Sequence, residues 1–405
     1  MDAAARKTLA ERFDLRALPE EFYADPFPSY AALREYAPIK RMPDGSYLLT
    51  RYDDVERVYK NPRTFSSDKQ REFGAKFGAS PLHRHHTTSL VFNDPPYHTR
   101  VRRLIQGALT PRAVQGLQPA LEASVSRLID AMAAKGSAGL IEDFAAAIPV
   151  EVIGDLLGVP RAERGPLRAW SLAILGALEP RLSPAAEQAG NRAVSEFSSY
   201  LDGLIARRRA AGRGPDLLSC LLEIAPDGQA LTAEELAHNA IFLLNAGHET
   251  TTNLIGNALA ALARYPDERE RLIADPALIV TAVEELLRFE SPNQLGNRVT
   301  TEAVRIGEVD LPAGTQITLC IGAANRDPAR FGSPDRLDVS RTPNRHLAFG
   351  SGIHQCIGMS VARLEACTAI SMLLARHPRY ALEGEPVRGR RARFRGFVSI
   401  PCRLR

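Results

Sequence analysis

The stretch Phe349-Gly-Ser-Gly-Ile-His-Gln-Cys356-Ile-Gly358, near the C-terminus, carries the strongest signal in this chain. Two glycines ahead of the cysteine free the backbone to curl tightly, and the glycine after it permits the close approach of a flat group. Residues 357–376 have a helical pattern, so Cys356 is expected at a helix N-terminus, where the dipole and free amides lower the pKa of a thiol. A thiolate in a glycine loop without partner cysteines is typical of a single axial bond to a haem iron.

A second unusual segment lies inside a long helical pattern. Thr232-Ala-Glu-Glu235 has the form of a capping box, and the pattern runs to Arg264, where Tyr265-Pro266 stops it. These roughly 33 residues span about 50 Å at 1.5 Å each. The central Asn245-Ala-Gly-His-Glu-Thr-Thr-Thr252 contains a glycine and three β-branched residues, which disfavour a helix. Such a violation is typical of a functional site, although a close contact between crossing helices explains it equally well.

The composition is that of a soluble globular protein. The 405 residues are 45% hydrophobic and 24% charged, which excludes a disordered or collagen-like chain. The net charge of +4 gives no ground for nucleic-acid binding. The five cysteines are scattered without a CxxC pair, and no window of about 18 apolar residues is present. We therefore expect no disulfide framework, no membrane partner, no nucleic-acid partner and a cytoplasmic location.

Helical periodicity dominates the chain, and strand patterns are short. Apolar residues recur at spacings of three and four over residues 112–134, 148–157, 161–178, 185–211 and 232–264. Strand patterns occur at residues 47–51, 304–309 and 316–321 and after Phe394. We predict a mainly α fold, namely a helix-rich single domain over residues 1–405 with a minor β region, in which residues 1–24 form an N-terminal segment.

These motifs together resemble the cytochrome P450 family of haem-thiolate monooxygenases. The stretch around Cys356 matches the family's haem-binding motif at every position, at the end of an expected haem-thiolate loop, residues 339–358. Three further elements match the family's oxygen-binding helix, its ExxR pair and its propionate clamp, namely Ala246-Gly-His-Glu-Thr250, Glu285-Leu-Leu-Arg288 and His98-Thr-Arg-Val-Arg102. Pro334-Asp-Arg336 matches the segment that supplies a second arginine to the ExxR pair. The resemblance covers nearly the whole chain and implies the cytochrome P450 fold.

The resemblance implies a haem b cofactor and assigns residues to it. Cys356 is expected to be the axial ligand of the haem iron. The other cofactor-binding residues are expected to be His98, Arg102, Ala246, Gly247, Arg298, Phe349, Gly350, His354 and Gly358. Glu249 and Thr250 are expected to be catalytic, because the family's acid–alcohol pair delivers protons during oxygen activation. The expected substrate lining is Leu90, Phe92, Leu243, Leu295 and Phe397.

The implied activity is a monooxygenase that inserts one oxygen atom from O2 into a small organic substrate. Electrons are expected from NAD(P)H through a separate ferredoxin and ferredoxin reductase, because the sequence contains neither a flavin-binding segment nor an iron–sulfur cysteine set. Two alternatives stay open: a peroxygenase of the same fold, and a non-enzymatic haem-thiolate sensor or carrier. The pair Glu249–Thr250 favours oxygen activation over both.

Two groups of basic residues predict the charge of binding partners. A surface for an acidic ferredoxin is predicted from Arg100, Arg103, Arg112 and Arg363. In the variable loop between Asp68 and Phe92, the cations are Lys69, Arg71, Lys76 and Arg84. If one of these loop cations points inward, it would favour a substrate that carries a carboxylate, whereas a solvated loop is the simpler interpretation.

Overall fold

Helices account for most of the chain in the computed structural model, which describes residues 1–212, 214, 216–223 and 228–404. The α-helices are α1 (Ala3–Arg12), α2 (Glu20–Ala24), α3 (Phe27–Tyr36), α4 (Tyr52–Lys60), α5 (Gln70–Phe77), α6 (Pro81–Thr88), α7 (Tyr97–Ala108), α8 (Pro111–Gly116), α9 (Gln118–Lys135), α10 (Ala147–Leu156), α11 (Leu167–Gly176), α12 (Pro184–Ala211), α13 (Leu217–Leu221), α14 (Ala233–Arg264), α15 (Pro266–Ala274), α16 (Ile279–Phe289), α17 (Ile321–Ala324) and α18 (Met359–Arg376). Among the described residues, no helix has the length and hydropathy that crossing a membrane requires.

The strands are short and form small sheets at the edge of the helices. They are β1 (Ile39–Arg41), β2 (Tyr47–Leu49), β3 (Phe65–Ser66), β4 (Ala138–Gly139), β5 (Leu295–Thr300), β6 (Val304–Ile306), β7 (Val309–Leu311), β8 (Gln316–Cys320), β9 (Ala381–Leu382), β10 (Val387–Arg388), β11 (Phe397–Ser399) and β12 (Pro401–Arg403). The largest sheet has the order β1-β2-β8-β5-β3, in which only β2 and β8 run parallel. In its register, Asn297 of β5 lies opposite Thr318 of β8.

Helix α14 runs through both of the larger apolar cores and positions the site between them. It begins at the predicted capping box, in which the Glu235 backbone N–H donates to the Thr232 hydroxyl and the Thr232 N–H donates to the Glu235 carboxylate. Residues 236–244 pack in a core with α11 and α12, and residues 254–262 pack in a core with α9, α16 and α18. Residues 245–253 of α14 belong to neither core and lie between the two.

Most of the predicted elements are present, and prolines explain the two main differences. The pattern over residues 112–134 is split into α8 and α9, because Pro119 lacks the N–H that a continuous helix would need. The pattern over residues 161–178 becomes α-helical only at Leu167, directly after Gly165-Pro166. Strand β5 was not predicted, since Gly296 and Arg298 interrupt its apolar alternation.

The buried carboxylate of Glu285 on α16 joins three segments of the chain. Arg288 donates to its two oxygens over 2.7 and 2.8 Å, and Arg341 Nε donates to both over 3.0 and 3.1 Å. The prediction of Arg336 as the second arginine is wrong, because its N–H bonds to the Ser333 carbonyl in a turn that leaves the Arg336 side chain exposed. Only the Arg336 carbonyl joins the network, as an acceptor from Arg288 and Arg341.

Candidate functional site

A cavity lies beside the middle of α14 and collects residues from segments that are far apart in the sequence. Its wall includes nearly all of the residues predicted to bind a cofactor, namely Arg102, Ala246, Gly247, Arg298, Phe349, Gly350, His354, Cys356 and Gly358. Thr250 also lies on this wall, whereas Glu249 and His98 lie behind it. The predicted residues are thus brought together around one internal space.

The loop before α18 holds Cys356 in a tight turn against α4. The Cys356 N–H donates to the Phe349 carbonyl over 2.9 Å. Gly352 has a φ of +70°, and a Cβ atom there would lie 2.2 Å from the Tyr59 carbonyl oxygen, so only glycine fits. Gly358, in contrast, lies on the cavity wall and a Cβ atom there would meet no atom within 4 Å. Its missing side chain keeps free the space next to Cys356.

The electrostatic surroundings of the Cys356 thiol differ from the prediction. Helix α18 begins at Met359, with Gly358 as its N-cap, so the thiol precedes the first turn. Burial raises the pKa of Cys356, and this outweighs the Gly358 N–H and the charges of Arg102 and Arg363, which lower it. The expected lowering of the pKa by the helix terminus is therefore wrong for the protein alone. A metal ion bound to the sulfur would still deprotonate it.

A corner of the site contains buried polar atoms that lack partners. The rings of His98 and His354 lie 4.1 Å apart between centroids. Both ring nitrogens of His98 and Nε2 of His354 have no hydrogen-bond partner among the described residues. Burial, together with the charges of Arg102 and Arg298, lowers the pKa of His98 to about 4 and that of His354 to about 2, so both rings are neutral at pH 7.

This corner fits the carboxylate groups of haem b. Arg102 and Arg298 provide two positive charges, and each is held in a setting where burial lowers the pKa of its guanidinium. The neutral rings of His98 and His354 add N–H donors that need acceptors. Buried polar groups in proteins are almost always paired. Two propionates would supply acceptors to these histidine and arginine donors.

The centre of α14 stays helical despite its unusual composition. The Thr250 hydroxyl donates to the Ala246 carbonyl over 2.6 Å, the bond to the i−4 carbonyl that threonine makes inside a helix. A Cβ atom on Gly247 would lie 2.6 Å from Ile153 Cδ1 of α10. The glycine thus permits a close helix contact, and it also lines the cavity. Gly247 therefore fits both interpretations of the sequence, the functional site and the close contact between crossing helices.

Glu249 is buried and forms an ion pair with Arg391. Burial raises the pKa of Glu249 to about 7, although Arg391 acts to lower it. Arg391 is held in turn by a hydrogen bond of 3.1 Å from its Nη2 to the Leu172 carbonyl. The sequence analysis did not identify Arg391, and only its place in the basic run 388–395 gives a signal.

The substrate side of the cavity is mainly apolar. Four of the five predicted lining residues are on its wall, namely Leu90, Phe92, Leu243 and Leu295. Phe397 is not on this wall, because it lies in β11 with the Arg388 guanidinium stacked 3.7 Å from its ring centroid. Phe394, three residues earlier, lines the cavity in its place.

The predicted ferredoxin surface is not one patch of unpaired charge. Arg100 forms an ion pair with Glu235, and Arg363 donates to the Glu284 carboxylate over 2.7 Å. The Arg103 guanidinium donates to the Gln229 side chain over 2.9 Å. Arg112 is exposed at the first turn of α8. The charges of Arg100 and Arg363 are thus offset within the chain itself.

Comparison with known proteins identifies the family. The family model for cytochrome P450 matches residues 178–378. Cytochrome P450 107B1 of Saccharopolyspora erythraea is 38% identical over 98% of this chain and 99% of its own length. The cytochrome P450 monooxygenase PikC of Streptomyces venezuelae is 40% identical, over 97% of this chain and 94% of its own length. The solved structure of P450BioI in complex with hexadec-9Z-enoic acid ligated acyl carrier protein has a TM-score of 0.90 and 36% identity, and the match covers 95% of this chain and 100% of that one.

The chain belongs to the cytochrome P450 family. It is a haem b monooxygenase of the bacterial type that acts with O2 on small organic substrates. The predicted family, the mainly α fold, the cofactor and the class of enzyme are confirmed.

Proposed function

We propose that Cys356 is the axial ligand of the haem iron and that four residues hold the propionates, namely His98, Arg102, Arg298 and His354. The observation that carries this assignment is the set of unpartnered ring nitrogens of His98 and His354 next to two arginines. Haem b, when bound, supplies the iron at which O2 is activated, and a cysteine sulfur donates electron density to it. Residues 339–358 then form the haem-thiolate loop of a single haem domain.

The proton supply, in this proposal, comes from Glu249 and Thr250. A carboxyl group whose pKa is about 7 exchanges a proton readily near neutral pH, which suits an acid–base group. The ion pair with Arg391 holds the Glu249 carboxylate behind the cavity wall. Thr250 lies on the wall, and its hydroxyl passes the proton onward when it leaves the Ala246 carbonyl.

Replacing Thr250 tests this role, and the same helix offers a matched control. Thr250→Ala should keep haem and the Soret shift caused by a bound substrate, yet divert electrons from NAD(P)H into hydrogen peroxide. Thr252→Ala removes a buried hydroxyl that is not on the cavity wall, so it should behave like the parent. Equal product per NAD(P)H in Thr250→Ala and the parent would contradict the role. Equally fast turnover with hydrogen peroxide alone would favour the peroxygenase alternative.

A separate ferredoxin and ferredoxin reductase supply the electrons in this proposal, and the enzyme works in the cytoplasm. With Arg100 and Arg363 offset by acidic partners, Arg112 is the exposed cation best placed to meet an acidic carrier. Reduction by a ferredoxin should slow as salt is added, because exposed charges are screened beyond about 8–10 Å. Arg112→Glu should lower both the rate and its salt dependence, and an unchanged salt dependence would count against Arg112.

A further inference from the structure

Arg393 is an arginine on the cavity wall whose guanidinium forms no ion pair with an acid in the described part of the chain. It belongs to the turn ahead of β11, and its carbonyl accepts from the Gln294 N–H over 2.8 Å, which fixes the turn against the start of β5. Its Nη2 donates to the neutral Asn297 side chain, and its Nε has no partner among the described residues. The described residues place no carboxylate in an ion pair with this guanidinium, which stays charged in proteins.

The neighbouring cations are offset. Lys69, the one cation of the variable loop that lines the cavity among the described residues, donates to the Glu72 carboxylate over 2.7 Å, and Arg391 pairs with Glu249. The acids that act on Arg393 electrostatically are Glu179 and Glu72. The Glu179 Oε2 accepts from the Ala392 and Arg393 backbone N–H groups over 3.1 and 3.4 Å. Glu179 thus fixes the backbone of the turn without meeting the Arg393 guanidinium.

The other cations of the variable loop do not serve the cavity. Arg84 is 70% exposed and pairs with Glu234, and Arg71 is exposed. Lys76 Nζ donates to the Ala177 and Glu179 carbonyls over 2.9 and 3.3 Å. The loop does provide an inward cation, Lys69, as expected, but Glu72 offsets its charge, so we look to the turn at Arg393 for the cation that meets a substrate.

The haem propionates do not account for this charge. In the proposed function, two propionates meet the two charges of Arg102 and Arg298, with the two neutral histidines as further donors. Arg393 then remains as an additional positive charge on the cavity wall, to which Phe394 and Leu295 contribute apolar surface. A guanidinium in such a setting binds a carboxylate through two parallel, charge-assisted hydrogen bonds.

We propose that Arg393, held by Asn297, binds the carboxylate of the substrate, so that the substrates of this monooxygenase are apolar organic acids of the fatty or alkyl-aromatic class. This inference rests on the proposed function, since it requires haem in the same cavity. The carboxylate would anchor one end of the substrate at the turn, and the leucine and phenylalanine side chains would surround its apolar part.

Probes that bind the haem iron by one end test the proposal without knowledge of the natural substrate. We would use ω-imidazolyl alkanoic acids of increasing chain length and their primary amides, because imidazole ligates haem iron and shifts the Soret band. The readout is the ratio of the dissociation constant of each amide to that of its acid. At the best chain length, the acid should bind the parent about tenfold more tightly than the amide.

Three variants connect this ratio to Arg393. Arg393→Gln should bring the ratio to about one, and Arg84→Gln, which removes a surface cation, should leave it unchanged. Asn297→Asp should also lower the ratio, because it gives Arg393 a carboxylate of its own, and this variant serves if Arg393→Gln does not fold. A parent ratio at or below one at every chain length, or a ratio that survives both Arg393→Gln and Asn297→Asp, overturns the proposal.

The rival ligand of Arg393 is a haem propionate, and a second measurement separates the two. If Arg393 holds the cofactor, Arg393→Gln should release haem to apomyoglobin faster while the amide-to-acid ratio stays as in the parent, which overturns the proposal. Failure of the proposed function has a different signature. In that case imidazole itself produces no Soret shift typical of a haem-thiolate protein, whatever group the probe carries at its other end.

Discussion

Two buried polar clusters in this protein both contain arginine, and they differ in whether their central groups have hydrogen-bond partners among the described residues. Around Glu285, each carboxylate oxygen accepts several hydrogen bonds, and the side chains of Glu285 and Arg288 are fully buried. Around His98 and His354, three ring nitrogens have no partner among the described residues, although Arg102 lies beside them. The central carboxylate of the first cluster has its partners among the described residues, and the ring nitrogens of the second do not.

The difference separates structural from ligand-binding polar groups. A buried charge with all its hydrogen bonds made fixes the arrangement of the segments that it joins. A buried donor without an acceptor costs free energy, which a ligand recovers when it binds. We therefore expect mutations in the first cluster to lower the stability of the fold, and mutations in the second to weaken the retention of haem.

The largest effect is expected at Arg341. Arg341→Ala removes its bonds to the buried Glu285, which should lower the free energy of unfolding by about 1.5–3 kcal/mol. Arg336→Ala keeps the carbonyl that joins the network and removes only an exposed side chain, so it should stay within about 0.5 kcal/mol of the parent. Denaturant titration of both variants tests this order. If Arg336→Ala loses more stability than Arg341→Ala, the Arg336 side chain belongs to the network around Glu285.

A smaller effect, on cofactor retention, is expected at His98. His98→Phe keeps a ring of similar size and removes the two nitrogens that lack partners, so haem should pass to apomyoglobin about tenfold faster. His83→Phe makes the same change at a histidine of α6 whose ring nitrogens are not among the buried ones without a partner, so this variant should match the parent. If haem leaves both variants at the parent rate, the ring nitrogens of His98 do not hold a propionate.

The smallest effect is expected in the pH at which the fraction of electrons recovered in product falls. The raised pKa of Glu249, about 7, means that its carboxyl is protonated below pH 7 and loses the proton above it. The fraction of electrons recovered in product should therefore fall as the pH rises through 7. Arg391 favours the carboxylate, so Arg391→Gln should raise the pKa and move the fall upward by about one pH unit. Glu249→Gln should abolish the pH dependence of electron recovery. If the recovery falls at the same pH in the parent, in Arg391→Gln and in Glu249→Gln, the titration of Glu249 is not the cause of the fall.

The sequence was sufficient to predict features that depend on residues close to one another in the chain. The capping box at Thr232 and Glu235 and the glycine loop around Cys356 each depend on residues within a few positions of one another, and the structure contains both. Contacts between distant segments could not be predicted in this way. Arg391 meets Glu249 across 142 positions, and Arg341 meets Glu285 across 56.

The same distinction explains two wrong predictions at the site. The pKa of Cys356 was judged from the helix that follows it, whereas burial by residues from elsewhere in the chain outweighs that local effect. Phe397 was expected in the substrate lining, but a contact with another segment of the chain determines its position. The stacked guanidinium of Arg388 holds it in β11 instead, away from the cavity wall.

The most direct test of the account is the Soret band of the reduced protein with carbon monoxide. The parent should absorb at the long-wavelength position characteristic of a cysteine-ligated haem, and Cys367→His, which alters another cysteine on the following helix, should keep that band. Cys356→His should retain haem through the propionate residues and lose the band. A band that persists in Cys356→His would contradict the assignment of Cys356 as the axial ligand.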